Sequence, residues 1–172
     1  MKHSKIFFAY FIIVISSQAQ TLNNHLKQLE PFLDKTWSGK LTSPDGSREL
    51  TVERNYKIVL DGSAVKITKV NKDLNNFGEG YFYWNDIKKQ IAFFFIENKG
   101  IFSEGFVTVK DNIIILEGTM TWPKQMNPGI KQSYNFRNTF EFTSDGKMID
   151  TWNQNAFGDW RQGHEIIFEA IP

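Results

Sequence analysis

Residues 160–171, the last stretch of the chain, alternate between apolar and polar positions with a period of two. The even positions, from Trp160 to Ala170, form a mostly apolar face, and the odd positions include the charged residues Arg161, Glu165 and Glu169. Such alternation is typical of a β-strand with one buried face. Gln162 and His164 are polar residues on the otherwise apolar face, so they are candidates for a role inside the protein.

Candidate strands of the same kind recur along the chain and are separated by turn signals such as Asp61-Gly62 and Asp145-Gly146. We predict strands at residues 36–42, 48–60, 63–71, 79–85, 90–97, 100–110, 112–122, 131–143, 147–157 and 160–171. A long meander of strands with one apolar face protects its edges best by closing on itself. The sequence therefore predicts an all-β fold, a single antiparallel up-and-down barrel of about ten strands. A loop at the barrel mouth is predicted over residues 123–130, which contain two prolines and a glycine.

A short helix is predicted ahead of the first strand, over residues 21–33. Its leucines, at positions 22, 26 and 29, are spaced to form one apolar face. Thr21 is a plausible N-cap, and Pro31 should end the regular part near Glu30. Because so short a helix is marginal alone, we expect its leucines to pack against one end of the barrel.

Two more predicted strands carry one polar residue on an otherwise apolar face. Arg54 interrupts the face of residues 48–60 that contains Leu50, Val52, Tyr56, Ile58 and Leu60. Asn138 interrupts the face of residues 131–143 that contains Tyr134, Phe136, Phe140 and Phe142. A buried polar group without a partner costs roughly 1–3 kcal/mol, and a charged one costs more. We therefore predict a ligand-binding site inside the barrel formed by Arg54, Tyr56, Tyr134, Asn138, Trp152, Gln162 and His164.

The same polar residues also have structural interpretations, which the sequence leaves open. Arg54 could stack on Trp37 or pair with a carboxylate such as Glu79, Glu104 or Asp150. His164 could be hydrogen-bonded within the core. The aromatic residues could fill the interior, and the inner polar groups would then be part of the architecture alone.

The N-terminus predicts an exported protein. Lys2 and Lys5 precede an apolar run over residues 6–15, and Ser17-Gln18-Ala19 resembles a cleavage site, so we predict a signal peptide over residues 1–19. A run of ten apolar residues is too short to cross a bilayer as a helix, which needs about 20. We expect a periplasmic or extracellular protein, with residues 20–172 as one domain and without stable membrane insertion once the signal is removed.

Charge and chemistry exclude several classes of function. Removing residues 1–19 leaves 18 basic against 19 acidic residues, a net charge of about −1, so binding to nucleic acid is not expected. The sequence lacks the G-x-S-x-G, H-E-x-x-H and phosphate-loop motifs, and it has no cysteine. We therefore expect no catalytic residues and no metal site built from His and Cys.

A short helix leading into Trp37-Ser38-Gly39, a meander of about ten strands and a final strand containing Gly163-His164-Glu165 together resemble the calycin-like barrels. Within that group the chain resembles exported bacterial lipocalin-like domains and, more distantly, nitrobindin-like domains. This resemblance implies that residues 20–172 form a lipocalin-like barrel that binds a small hydrophobic or planar ligand. Nitrobindins bind haem through a histidine near the C-terminus, and His164 lies at that place.

The expected function is an exported, non-catalytic binding protein whose partner is a small hydrophobic molecule, with any anionic head group meeting Arg54. It needs no cofactor. The first alternative is a haem protein with His164 as the iron ligand. Two further alternatives are an enzyme using a carboxylate or His164 as general base, and an envelope interaction module with a filled core.

Overall fold

The structure is a computed structural model that describes residues 20–42, 46–123, 133–155 and 158–171. In these ranges the strands are β1 (Thr36–Thr42), β2 (Glu49–Val59), β3 (Ala64–Asn71), β4 (Asn76–Asn85), β5 (Gln90–Glu97), β6 (Phe102–Lys110), β7 (Ile113–Thr121), β8 (Ser133–Phe142), β9 (Met148–Asn155) and β10 (Arg161–Ile171). The predicted signal peptide, and all of the predicted mouth loop except Pro123, lie outside the described residues. No helix in the described ranges is long and apolar enough to span a membrane.

The strands form a closed antiparallel barrel in which each strand pairs with its neighbours along the chain. β1 closes the barrel by pairing with β10, where Thr36 lies opposite Ile171 and Gly39 opposite Phe168. The predicted all-β, ten-stranded up-and-down barrel is therefore confirmed. Alternation explains the facing, since in β8 Tyr134, Phe136, Asn138 and Phe140 are all buried and the residues between them are not.

One end of the barrel is closed by the N-terminal helix, as the leucine spacing predicts. Leu26, Leu29 and Phe32 are fully buried in the same core cluster as Trp37. The Phe32 ring stacks on the Tyr56 ring at 4.4 Å between centroids, and the Trp37 indole nitrogen donates a hydrogen bond to the Phe32 carbonyl at 3.0 Å. Side chains of the helix therefore fill this half of the barrel interior, and the strands alone surround the opposite half.

The helix itself differs from the prediction in type and bounds. It is a 3₁₀ helix over Asn24–Phe32, and Asn23 rather than Thr21 is its N-cap, with its side chain accepting from the His25 amide at 3.0 Å. Pro31 lies inside the helix and does not end it at Glu30. A 3₁₀ helix uses i to i+3 hydrogen bonds, so the missing amide of one proline removes one bond only, and burial of the helix's apolar face outweighs that loss.

Besides Ala170 in β10, two further apolar residues predicted on buried faces are exposed. Leu60 is 70% exposed because β2 ends at Val59 and the chain turns there with a positive φ at Leu60. Trp160 precedes β10 and is 46% exposed, with its ring 5.0 Å from the guanidinium carbon of Arg137. For Leu60 and Trp160, the predicted apolar alternation extends one residue beyond the end of the strand.

Gln162 is also exposed, although it was predicted to share the inner face with His164. The pairing register between β9 and β10 shifts between these two residues, which is the mark of a β-bulge. An extra residue in one strand reverses the facing on one side of the bulge, so the period-two pattern fails there. Gly163 occupies the bulge and lies so close to Trp152 that an added Cβ would be 2.7 Å from Trp152 Cδ1.

Candidate functional site

A cavity of about 570 Å³ occupies the half of the barrel that lies away from the helix. Most of its wall is aromatic or aliphatic, from Ile67, Leu74, Phe82, Phe93, Phe94, Phe95, Ile101, Leu116, Met120, Trp122, Tyr134, Phe136, Phe140 and Trp152. Polar residues interrupt this wall at Arg54, Lys69, Asn76, Glu97, Lys99, Ser103, Asn138, Gln154 and His164, with Gly163 beside them. Its size and lining are those of a small-molecule site.

Arg54 contributes the guanidinium on the cavity wall and forms a buried ion pair. Its Nη2 lies 2.5 Å from Asp150 Oδ2, and the two side chains are 8% and 0% exposed. The guanidinium carbon also lies 5.2 Å from the Phe140 ring and 4.9 Å from the Phe168 ring. Burial lowers the pKa of Arg54, but the Asp150 carboxylate and Tyr56 outweigh it, so the pKa lies above its usual value. Of the structural interpretations, pairing with Asp150 is confirmed and stacking on Trp37 is wrong.

Tyr56 lies next to this pair but does not line the cavity. It is 2% exposed, and its hydroxyl has no hydrogen-bond partner among the described residues. Burial raises the pKa of Tyr56 to about 12, although the nearby Arg54 guanidinium opposes the shift. Tyr56 therefore stays neutral and adds no charge near the cavity.

Asn138 places an amide on the cavity wall. Its side chain is buried, and its Oδ1 has no hydrogen-bond partner among the described residues. An amide carries one acceptor and two donors on adjacent atoms, so it can serve a ligand that both donates and accepts.

His164 lines the cavity beside a stack of aromatic rings. Its ring is nearly parallel to the Trp152 ring with 6.0 Å between centroids, and Trp152 in turn stacks on Phe136 at 4.6 Å. The His164 imidazole has no hydrogen-bond partner in the described part of the chain. Burial lowers its pKa, and Arg54 and Lys69 add to that shift while Asp150 opposes it. The imidazole is therefore neutral at pH 7, with both nitrogens available to a ligand.

A second polar cluster, formed by Lys69, Asn76 and Glu97, lies toward the rim of the cavity. Lys69 Nζ lies 3.0 Å from Glu97 Oε1, and the Asn76 amide nitrogen donates to Glu97 Oε2 at 2.6 Å. Glu97 is 6% exposed. The sequence did not single out these residues, and Glu97 in particular could not be recognised because residues 90–97 are apolar on both faces.

Five of the seven predicted site residues line the cavity, namely Arg54, Tyr134, Asn138, Trp152 and His164. The Tyr134 hydroxyl accepts a hydrogen bond from the Trp122 indole nitrogen at 2.6 Å and donates one to Met120 Sδ at 3.2 Å. Tyr56 and Gln162 are not part of the wall. The binding roles of the five residues stay predictions.

The charged and polar groups of the wall define what the cavity can offer a ligand. In the described ranges, no group of three or more His, Cys, Asp or Glu residues could hold a metal ion. Two pairs of ionised groups are matched, Arg54 with Asp150 and Lys69 with Glu97, whereas the exposed Lys99 at the rim has no ion-pair partner in the described ranges. The remaining polar wall offers neutral hydrogen-bonding groups.

Comparison with known proteins supports the fold alone. No protein-family model matches the sequence, and no curated protein matches it significantly. The crystal structure of Rv2717c from M. tuberculosis is similar, with a TM-score of 0.60 and 13% identity, and the match covers 88% of this chain and 100% of that chain. A barrel fold is therefore shown, which agrees with ligand binding, whereas neither the lipocalin-like nor the nitrobindin-like family is shown.

Proposed function

We propose that the protein is a non-catalytic binding protein that holds a small, mostly apolar molecule inside its barrel. The cavity of about 570 Å³ carries the proposal, because its aromatic wall is interrupted by a few convergent polar groups. Absence of catalysis is proposed because His164 has no hydrogen-bonded partner within the described residues, whereas an activated nucleophile or base is normally oriented by one.

The interaction module with a filled core is less well supported. Its premise was an interior packed solid with aromatic rings. Among the described residues, the interior is packed in this way at the helix end of the barrel, around Phe32 and Trp37. Side chains at the other end surround the cavity, so a ligand explains the unpartnered Asn138 Oδ1 better than packing does.

Titration with decan-1-ol, followed by tryptophan fluorescence, tests the proposal because Trp122 and Trp152 line the cavity. We expect saturable binding by the unmodified protein. Ser103→Trp places an indole in the cavity and should weaken binding at least about tenfold. Thr108→Trp is the matched control, since Thr108 is exposed on the same strand and does not line the cavity.

The proposal is overturned if neither decan-1-ol nor decanoate, the carboxylate of the same chain length, binds, or if the two tryptophan variants weaken binding equally. Equal weakening would place the probe on the outside of the barrel. Far-ultraviolet circular dichroism of both variants identifies any loss of fold.

Haem is the second candidate, favoured by the neutral and unbonded His164 on the cavity wall. The residues fit this group only in part. A histidine that ligates a metal normally donates its second nitrogen to a carboxylate or carbonyl, and His164 has no such partner within the described chain. Titration with ferric haem separates the candidates: a Soret shift that is lost in His164→Ala and kept in His25→Ala would favour haem.

Export is also proposed, on the sequence alone. The support is the basic start, the apolar run over residues 6–15 and the Ser17-Gln18-Ala19 site. Mass spectrometry of the protein recovered from cells should show a mature N-terminus at Gln20. A chain that retains Met1 in the cytoplasm would contradict the proposal.

A further inference from the structure

We propose that the cavity selects uncharged amphiphiles: a ligand with an apolar chain and a neutral hydrogen-bonding head group, such as an alcohol, in preference to a carboxylate. The inference rests on the proposed binding function and names the class of ligand. It replaces the expectation that Arg54 meets an anionic head group.

The first reason is that the positive charge of Arg54 is already matched. Asp150, which is fully buried, lies 2.5 Å from the guanidinium. A ligand carboxylate at Arg54 would place two negative groups against one positive group in a water-poor site. Like charges at short range disfavour ionisation of both, and the desolvation of the incoming anion would be only partly compensated.

In the rim cluster, the positive charge of Lys69 is matched in the same way. Lys69 is engaged by Glu97, and Glu97 also accepts from Asn76. Lys99 is the cation at the rim that has no ion-pair partner in the described ranges, and its side chain is exposed. An exposed lysine attracts an anion weakly because water and salt screen it.

The second reason is the chemistry of the polar groups that remain. Arg54 Nε and Asn138 Oδ1 are buried without partners, and His164 is a neutral imidazole on the same wall. These groups offer both donors and acceptors. A hydroxyl can donate and accept at once, whereas an ionised carboxylate only accepts. A neutral head group can therefore satisfy more of the wall than a carboxylate can.

Decan-1-ol and decanoate form a matched pair of probes, since they have the same chain length and differ in the head group. At pH 8, isothermal titration of the unmodified protein should show decan-1-ol binding at least about tenfold more tightly than decanoate. Equal affinities, or tighter binding of decanoate, overturn the inference while leaving the binding function intact. Binding of neither probe instead overturns the proposed function.

Asp150→Asn tests the cause, because it removes the matching negative charge with little change of shape. The affinity ratio should then shift at least about tenfold toward decanoate. Asp86→Asn is the matched control, an exposed aspartate paired with Lys89 away from the cavity, and should leave the ratio unchanged. A ratio that does not move in a folded Asp150→Asn protein overturns the inference.

A third variant keeps the inference testable if Asp150→Asn does not fold. Lys99→Gln removes the exposed rim cation. Decanoate affinity should change less than about twofold in this variant. Loss of decanoate binding would show that the rim recruits carboxylates, and it would overturn selection for uncharged ligands.

Discussion

At the scale of single residues, burial of the Arg54–Asp150 ion pair carries a large desolvation cost. Both side chains are nearly or fully buried. Removing charges from water costs several kcal/mol per ion, and the attraction between the two charges offsets this cost only while both partners are present. The pair therefore contributes little net stability but makes each partner depend strongly on the other.

Removing one partner should therefore destabilise the protein far more than breaking a surface pair. We expect Asp150→Asn to lower the free energy of unfolding by about 3–5 kcal/mol, because Arg54 stays charged and unmatched. The control is Glu117→Gln, which breaks the half-exposed pair between Glu117 and Arg137 and should cost under about 1 kcal/mol. Urea unfolding measures both, and similar losses would contradict this account.

His164 should make stability depend on pH. Its pKa in the folded state is lowered by burial, so the unfolded chain binds the proton more readily. The stability it contributes is fully present above the ordinary histidine pKa of about 6.5 and is lost as pH falls through the lowered value. We expect the melting temperature to fall less between pH 7.5 and 5 in His164→Gln than in the unmodified protein, as measured by differential scanning calorimetry. An identical fall in melting temperature in the two proteins would show that His164 has the same pKa in the folded and the unfolded chain.

The sequence identified the cavity residues that interrupt a clean alternation, and missed those that do not. Arg54 and Asn138 stood out because one polar residue broke an apolar face. Glu97 could not be recognised, since its strand is apolar on both faces. Asp150 could be named only as one of several possible partners of Arg54, because pairing across strands depends on barrel closure rather than on local pattern.

At the scale of elements, the junction between the N-terminal helix and the β2–β3 turn depends on one glycine. The Asn23 amide donates to the Gly62 carbonyl at 3.0 Å. Gly62 has φ +86°, and a Cβ there would lie 2.0 Å from the Thr21 carbonyl oxygen. A side chain at this position would therefore push the start of the helix off the barrel end.

A matched pair of glycines isolates that effect. Gly146 has a similar φ of +83° but an added Cβ would meet nothing within 4 Å. Gly146→Ala should cost about 1–2 kcal/mol for the left-handed backbone alone. Gly62→Ala should cost at least about 1 kcal/mol more, because of the clash. Urea unfolding of both variants measures the difference, and equal costs would mean that the helix can move away freely.

Element bounds were predictable wherever alternation continued and failed where local geometry overrode it. Ten strands were recognised because turn signals separate them and most carry a period-two pattern, although residues 90–97 are apolar on both faces. The bulge at Gly163 reversed the facing of Gln162, and no residue type marks a bulge with certainty. The helix was expected to stop at Pro31, and burial of Phe32 carried it past the proline.

At the scale of the whole molecule, the barrel depends on one seam that joins the two ends of the chain. β1 and β10 are held by a register of four residue pairs, from Thr36 with Ile171 to Gly39 with Phe168. The β6–β7 ladder has nine pairs and needs only a tight turn between its strands. The chain has no cysteine, so no disulfide reinforces the seam.

The seam should consequently open before the rest of the barrel. Local opening requires less free energy where fewer hydrogen bonds and side-chain contacts must break at once. Hydrogen–deuterium exchange with mass spectrometry should show faster exchange of the paired β1 amides than of the β7 amides under native conditions. Peptides from β7 serve as the internal control, because global unfolding exposes both strands equally. If β1 exchanged as slowly as β7, the seam would open only with the whole barrel, and its buried Trp37 and Phe168 side chains would then outweigh its short ladder.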